Sequence, residues 1–156
     1  MTSLLDKLFR KIMQSRYIYA SERPIIERMS AKILLLDDEE TIRNIMPLLL
    51  SRAGHTVTAV ASGEEAIEEY KKHFKSGEKF DLVLLDLTIP HGIGGKEIMP
   101  DLLAIDPKVV AIVASGDDAN PAVKEYEKFG FKGVLLKPFN RATLISAIEK
   151  YAPHAV

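Results

Sequence analysis

The chain has 156 residues, 47% of them hydrophobic and 28% charged, with a formal net charge of −1 and no cysteine. A chain of about 150 residues predicts one principal domain with its own core. The plentiful apolar residues exclude a disordered chain, the missing thiols exclude a disulfide framework, a thiol nucleophile and a cysteine-ligated zinc site, and the longest apolar run, Val109–Ala114, falls far short of the ~20 residues a membrane helix needs.

Residues 1–30 hold six Lys/Arg and three Asp/Glu, and the remainder fifteen and nineteen, so a basic extension of +3 precedes a domain of −4. In the extension, Leu4, Leu5, Leu8, Phe9, Ile12 and Met13 form a helical stripe with Lys7, Arg10 and Lys11 between them. Charges break this stripe too early for a secretory signal. A mildly acidic domain without a basic patch argues against direct binding of nucleic acid. The absence of cysteine and of a membrane segment places the expected location in the cytoplasm. The expected division is a helical extension over 1–30 and a domain over 31–152.

Five short apolar runs follow: Lys32–Leu36, Thr56–Val60, Phe80–Leu85, Val109–Ala114 and Gly133–Leu136. Four are nearly continuous in Val, Ile, Leu and Ala, as in parallel strands covered on both faces. The second alternates and predicts an edge strand. Helical patterns fill the gaps. Glu40–Ala53 carries Ile42, Ile45, Met46 and Leu49 and ends at Gly54; Pro47, inside it, predicts a kink. Ser62 to Glu65 reads as a capping box before the next helix. Gly95–Ala104 is shorter. Asn120-Pro121 predicts the start of a helix ending at Gly130, and Asn140 caps a last helix over Arg141–Tyr151. Strands alternating with helices predict a parallel sheet with right-handed crossovers.

The strand ends carry unusual chemistry. The first run leads into Asp37-Asp38-Glu39-Glu40, the third into Asp86, the fourth into Ser115-Gly116 and the fifth into Lys137-Pro138. Open α/β sheets bind ligands at the carboxyl ends of their strands. Asp37, Asp38 and Asp86 brought together would repel unless their pKa values rise or a cation neutralises them. An all-oxygen, partly hydrated site suits Mg²⁺. A metal, an ammonium and a hydroxyl around one carboxylate meet the needs of phosphoryl transfer, and a carboxylate can itself become an aspartyl-phosphate. Each short motif alone is commonplace, since an Asp-Asp often only opens a helix and a Lys-Pro often only ends a strand. The four together are specific.

Ile33–Glu40, Asp81–Pro90, Ala114-Ser115-Gly116 and Leu136–Phe139 together resemble the receiver domain of two-component response regulators. Leu87–Glu97, Ser115-Gly116 and Glu125–Val134 are similar to the receivers attached to hybrid histidine kinases. The resemblance spans residues 31–151. It implies a flavodoxin-like, doubly wound five-stranded sheet of order 2-1-3-4-5. It implies that Asp86 accepts a phosphoryl group from a histidine kinase or phosphotransfer protein, and that Asp37, Asp38, Asp86 and the backbone carbonyl of Thr88 hold Mg²⁺. It implies that Ser115 and Lys137 bind the phosphoryl oxygens, and that Thr88 and Asp117 tune hydrolysis of the aspartyl-phosphate. The protein would then be a phosphoacceptor and not an enzyme acting on external substrates, with output by protein–protein contact, since no effector domain follows residue 151. Two departures stand out. Val134 occupies the place of a common aromatic switch residue, and Pro47 lies in the helix that often meets the kinase. The rival readings are a phosphohydrolase, which would need an acid where Thr88 stands, and a receiver that binds partners without being phosphorylated.

Overall fold

A computed structural model describes residues 30–152. The predicted helix in residues 1–30 therefore lies, but for Ser30, outside the described residues.

Five strands, β1 (Lys32–Leu36), β2 (Thr56–Val60), β3 (Leu82–Asp86), β4 (Ala111–Ser115) and β5 (Gly133–Leu136), alternate with helices α1 (Glu40–Ser51), α2 (Gly63–Ser76), α3 (Gly95–Ile105), α4 (Pro121–Lys124) and α5 (Arg141–Tyr151). All strands pair in parallel, in the order β2-β1-β3-β4-β5. This is the expected doubly wound sheet, with β2 at an edge.

Alternation along each strand sends successive side chains to opposite faces. Leu34, Leu36, Val83, Leu85 and Val113 therefore share one core with Ala66 and Tyr70 of α2 and Ile98, Met99 and Leu102 of α3. Ile33, Leu35, Leu84, Ile112 and Ala114 share the other with Met46 and Leu50 of α1 and Leu144 and Ile148 of α5. The near-continuous apolar runs are thus a requirement of covering the sheet twice.

Two local expectations shift. The third and fourth strands begin two residues later than their apolar runs and end one residue later, so Asp86 and Ser115 are themselves the last strand residues. Phe80 and Val109 instead pack into the core from the turns that lead into those strands. The predicted helix to Gly130 divides into α4 and a 3-10 turn over Tyr126–Phe129, with Gly130 in the left-handed region at φ 90°. α1 continues through Pro47.

The caps follow the sequence. Ser62 Oγ accepts from the Glu65 amide at 3.3 Å, while Glu65 Oε2 accepts from Ala61 N–H rather than from Ser62 N–H. Asn120 and Asn140 accept from the amides of Ala122 and Thr143.

An acidic cleft at the carboxyl edge of the sheet

Strand register assembles the site. Leu36 pairs with Leu85, so the next residues, Asp37 and Asp86, leave neighbouring strands together. Asp86 pairs with Ala114, which sets Ser115 one residue beyond. Ser115 pairs with Leu136, and its carbonyl accepts from Lys137 N–H at 2.8 Å. Four strands in four different parts of the sequence thereby end at one edge, next to the point between β1 and β3 where the winding reverses.

The carboxylates of Asp37, Asp38 and Asp86 each place an oxygen within 4.8 Å of the others. Asp37 is 2% and Asp86 8% exposed, whereas Asp38 is open to solvent. Lys137 Nζ stands between the two buried acids, 3.2 Å from Asp37 Oδ2 and 3.4 Å from Asp86 Oδ2. Burial pushes the Asp86 carboxyl above its usual range. The Lys137 ammonium opposes this, Asp37 adds to it, and the Thr88 amide opposes it again; the outcome is upward. Burial works to lower Lys137, but Asp86 and Asp37 outweigh it and hold the ammonium above its ordinary value.

The remaining predicted residues take up distinct places. Thr88 is exposed, and its N–H points at Asp86 Oδ1 from 3.4 Å. Ser115 is buried at the rim, where its Oγ accepts from Asp117 N–H at 3.0 Å. The Asp117 carboxylate accepts from Ala119 N–H at 3.0 Å, which ties it to its own loop. Asp117 is not part of the acidic cluster. Val134 is partly buried and packs against the core on the α2 and α3 side of the sheet.

Two features were absent from the sequence reading. Gly95 opens α3 so close to β3 that a Cβ there would lie 2.7 Å from Leu85 Cβ and 3.0 Å from the Asp86 carbonyl oxygen. Only a residue without a side chain lets α3 start against the strand that presents Asp86. The second is Arg43, whose Nη1 donates to the carbonyls of Asp37 at 3.1 Å and Asp38 at 2.7 Å. A cation in the first turn of a helix opposes the helix dipole, and that mismatch was the available signal.

The donor set suits a hard divalent cation. It is made of oxygen, it carries three formal negative charges against one ammonium, and one side opens to water through Asp38. Among the described residues no helix is long and apolar enough to cross a membrane. Fold and cleft together define an open, doubly wound α/β domain with an acid-lined site at the switch point of its sheet.

Comparison with known proteins gives this class its family. The family model described as "Response regulator receiver domain" matches residues 33–149. The chain is 31% identical over 123 residues to chemotaxis protein CheY of Thermotoga maritima, covering 78% of this chain and 98% of that one. It is 30% identical over 125 residues to sporulation initiation phosphotransferase F of Bacillus subtilis, covering 80% and 96%. It also matches part of a hybrid protein, the osmosensing histidine protein kinase SLN1 of Saccharomyces cerevisiae, at 29% identity over 126 residues, 78% of this chain and 10% of that one. Among solved structures, chemotaxis protein CheY4 of Vibrio cholerae superposes with a TM-score of 0.69 at 26% identity, covering 78% of this chain and 98% of that one. The receiver domain of sensor histidine kinase PA1611 from Pseudomonas aeruginosa, solved with magnesium coordinated in its active site cleft, superposes with a TM-score of 0.68 at 22% identity, covering 79% and 98%. The chain belongs to the response regulator receiver domain family, and it is a receiver domain of two-component signalling.

Proposed function

We propose that Asp86 is the phosphoacceptor of this receiver. The phosphodonor is a phosphohistidine on a sensor histidine kinase or a histidine phosphotransfer protein. Asp37, Asp38, Asp86 and the backbone carbonyl of Thr88 hold Mg²⁺. The single observation that carries this reading is the convergence of three carboxylates within 4.8 Å, with Lys137 bridging Asp37 and Asp86. The magnesium in the PA1611 receiver and the phosphotransferase named among the relatives support it.

The chemistry follows from the groups present. An Asp86 carboxylate oxygen attacks phosphorus, the phosphorus–nitrogen bond breaks, and its electron pair returns to the imidazole. Asp37, Asp38, Asp86 and the Thr88 carbonyl would hold Mg²⁺, which would supply positive charge to offset that of the transferring group. Lys137 is already fixed at the acceptor oxygen, and once that oxygen is esterified its ammonium can turn to a phosphoryl oxygen. Ser115 reaches the phosphoryl group by giving up its bond with the Asp117 amide, which makes the β4–α4 loop the element that responds. Thr88, whose N–H faces Asp86, and Asp117, two residues beyond Ser115, tune the hydrolysis of the aspartyl-phosphate in this reading.

The protein acts on itself and not on an external substrate, because the residue two beyond Asp86 is Thr88, which cannot serve as the general acid of a phosphohydrolase. Output passes through protein–protein contact, and the site of action is the cytoplasm. The protein donor docks over α1, where Ile45 is 51% and Leu48 69% exposed beside Arg52 and Arg141.

The test is intact-mass measurement after incubation with acetyl phosphate and Mg²⁺. Wild type and Thr88→Ala gain one phosphoryl group, about 80 Da, and Asp86→Asn gains none. A gain that persists in Asp86→Asn overturns the assignment.

A further inference from the structure

We infer that Arg43 is a positioning residue for the divalent site: its guanidinium fixes the bend that lets two consecutive aspartates share one cation. The inference rests on the magnesium reading above.

Consecutive residues of an extended chain point to opposite sides. Asp37 and Asp38 nevertheless bring carboxylate oxygens within 4.8 Å of each other and of Asp86. The chain must therefore turn sharply as it leaves β1. Two sets of bonds hold that turn. Asp37 Oδ1 accepts from Glu39 N–H at 2.9 Å, closing the turn from its own side chain. Arg43, one helical turn into α1, donates from a single Nη1 to the Asp37 carbonyl at 3.1 Å and the Asp38 carbonyl at 2.7 Å. Successive carbonyls of a strand face opposite ways, so one nitrogen can donate to both only if the chain is bent. Arg43 itself is anchored, because its backbone N–H bonds the Glu39 carbonyl at 3.1 Å.

The division of labour is specific. Glu39 N–H occupies Asp37 Oδ1, which leaves Oδ2, the atom now 3.2 Å from Lys137 Nζ, facing the cleft. Arg43 touches only carbonyls there, so it positions the ligands without competing for their oxygens. A permanently charged planar donor is suited to this task.

Two effects of Arg43 on a divalent ion have opposite signs. As a nearby positive charge it repels the ion, so charge alone predicts that Arg43→Ala tightens binding. As the clamp of the turn it pre-organises the ligands, so its removal weakens binding. Outer partners of metal ligands commonly matter about 10-fold or more.

The experiment is a calorimetric Mg²⁺ titration of the full chain without phosphodonor, on wild type, Arg43→Ala and Arg43→Lys, with thermal unfolding run in parallel. The expected result is a loss of affinity of about 10-fold in Arg43→Ala, with Arg43→Lys in between. The autophosphorylation rate with acetyl phosphate falls at low Mg²⁺ and returns to the wild-type value at saturating Mg²⁺. Hydrogen exchange at the Glu39 amide rises in the metal-free variant. Equal or tighter Mg²⁺ binding in Arg43→Ala, beside a wild type that binds, overturns the inference while leaving the magnesium reading intact. A wild type that binds no Mg²⁺ overturns the reading, and this inference with it. Should Arg43→Ala fail to fold, Arg43→Lys decides alone: it keeps the charge, so only loss of the bent-chain geometry can weaken its binding, and unchanged affinity overturns the inference.

Discussion

Lys137 Nζ lies 3.4 Å from Asp86 Oδ2, and the ammonium is shared with Asp37. Even so, the Asp86 carboxyl is held above its usual range, because burial and Asp37 outweigh the lysine. The resting cleft thus disfavours the charge that the proposed phosphoryl transfer requires.

That balance fixes the behaviour of Asp86→Asn. An acid whose folded pKa is raised above its unfolded value costs stability once pH rises through the ordinary carboxylate range. At neutral pH without divalent ions, Asp86→Asn should therefore unfold at a higher temperature than wild type. The difference should shrink below about pH 4. Added Mg²⁺ should stabilise wild type more than the variant, since a ligand stabilises the state that binds it. Differential scanning fluorimetry across pH, with and without Mg²⁺, checks all three.

His55 makes the opposite contribution. It is 7% exposed, and its Nδ1 accepts from Ala31 N–H at 3.2 Å. Burial pushes its pKa below 6.5, although Glu149 works against this. The neutral ring is therefore favoured in the fold, and its stability is present above about pH 6.5 and lost as pH falls toward the folded pKa. Chemical unfolding at about pH 7 and about pH 5 should show a loss of stability in wild type that is smaller in His55→Gln.

The core on the α2 and α3 side holds one polar clasp. Tyr70, almost fully buried, donates its hydroxyl to Asp106 Oδ2 at 3.1 Å, and Asp106 Oδ1 accepts from Lys108 N–H. Burial and the Asp106 carboxylate drive the Tyr70 pKa upward. Tyr70→Phe leaves a buried carboxylate short of a donor and should cost about 1.5–3 kcal/mol. The urea midpoint should fall at unchanged slope.

α1 offers a separate test of partner docking. Leu48 is a large apolar side chain left 69% exposed. Leu48→Glu should slow transfer from a protein phosphohistidine about 10-fold, as expected when a contact near the centre of an interface is lost. Acetyl phosphate, which makes no such contact, should not distinguish the variant from wild type. Equal loss with both donors would place the defect in the cleft instead.

Much of this was legible in the sequence because four of the five strands end on, or run directly into, a residue type that a buried sheet otherwise avoids: Asp37, Asp86, Ser115 and Lys137. Asp37, Asp86 and Lys137 could be assigned to one edge from their place after apolar runs, and the register then brought them together. The strand limits were less legible. Phe80 and Val109 are apolar because they pack in the core from the turns, so hydrophobicity ran on where the ladder did not. The helix after Asn120 looked continuous because its break, at Glu125, has no proline or glycine to mark it. Arg43 escaped notice because its role is contact with backbone carbonyls, and Gly95 because its role is the close approach of α3 to β3, neither of which a pattern of side chains encodes.

The most direct measurement is the chemical location of the phosphoryl group. An acyl phosphate is reduced by borohydride, so an aspartate that carried one is left as homoserine. After phosphorylation with acetyl phosphate and Mg²⁺, reduction and peptide sequencing by mass spectrometry should find homoserine at position 86 alone. Homoserine at any other aspartate, or a phosphoryl group that survives borohydride on a hydroxyl or imidazole, would contradict the account.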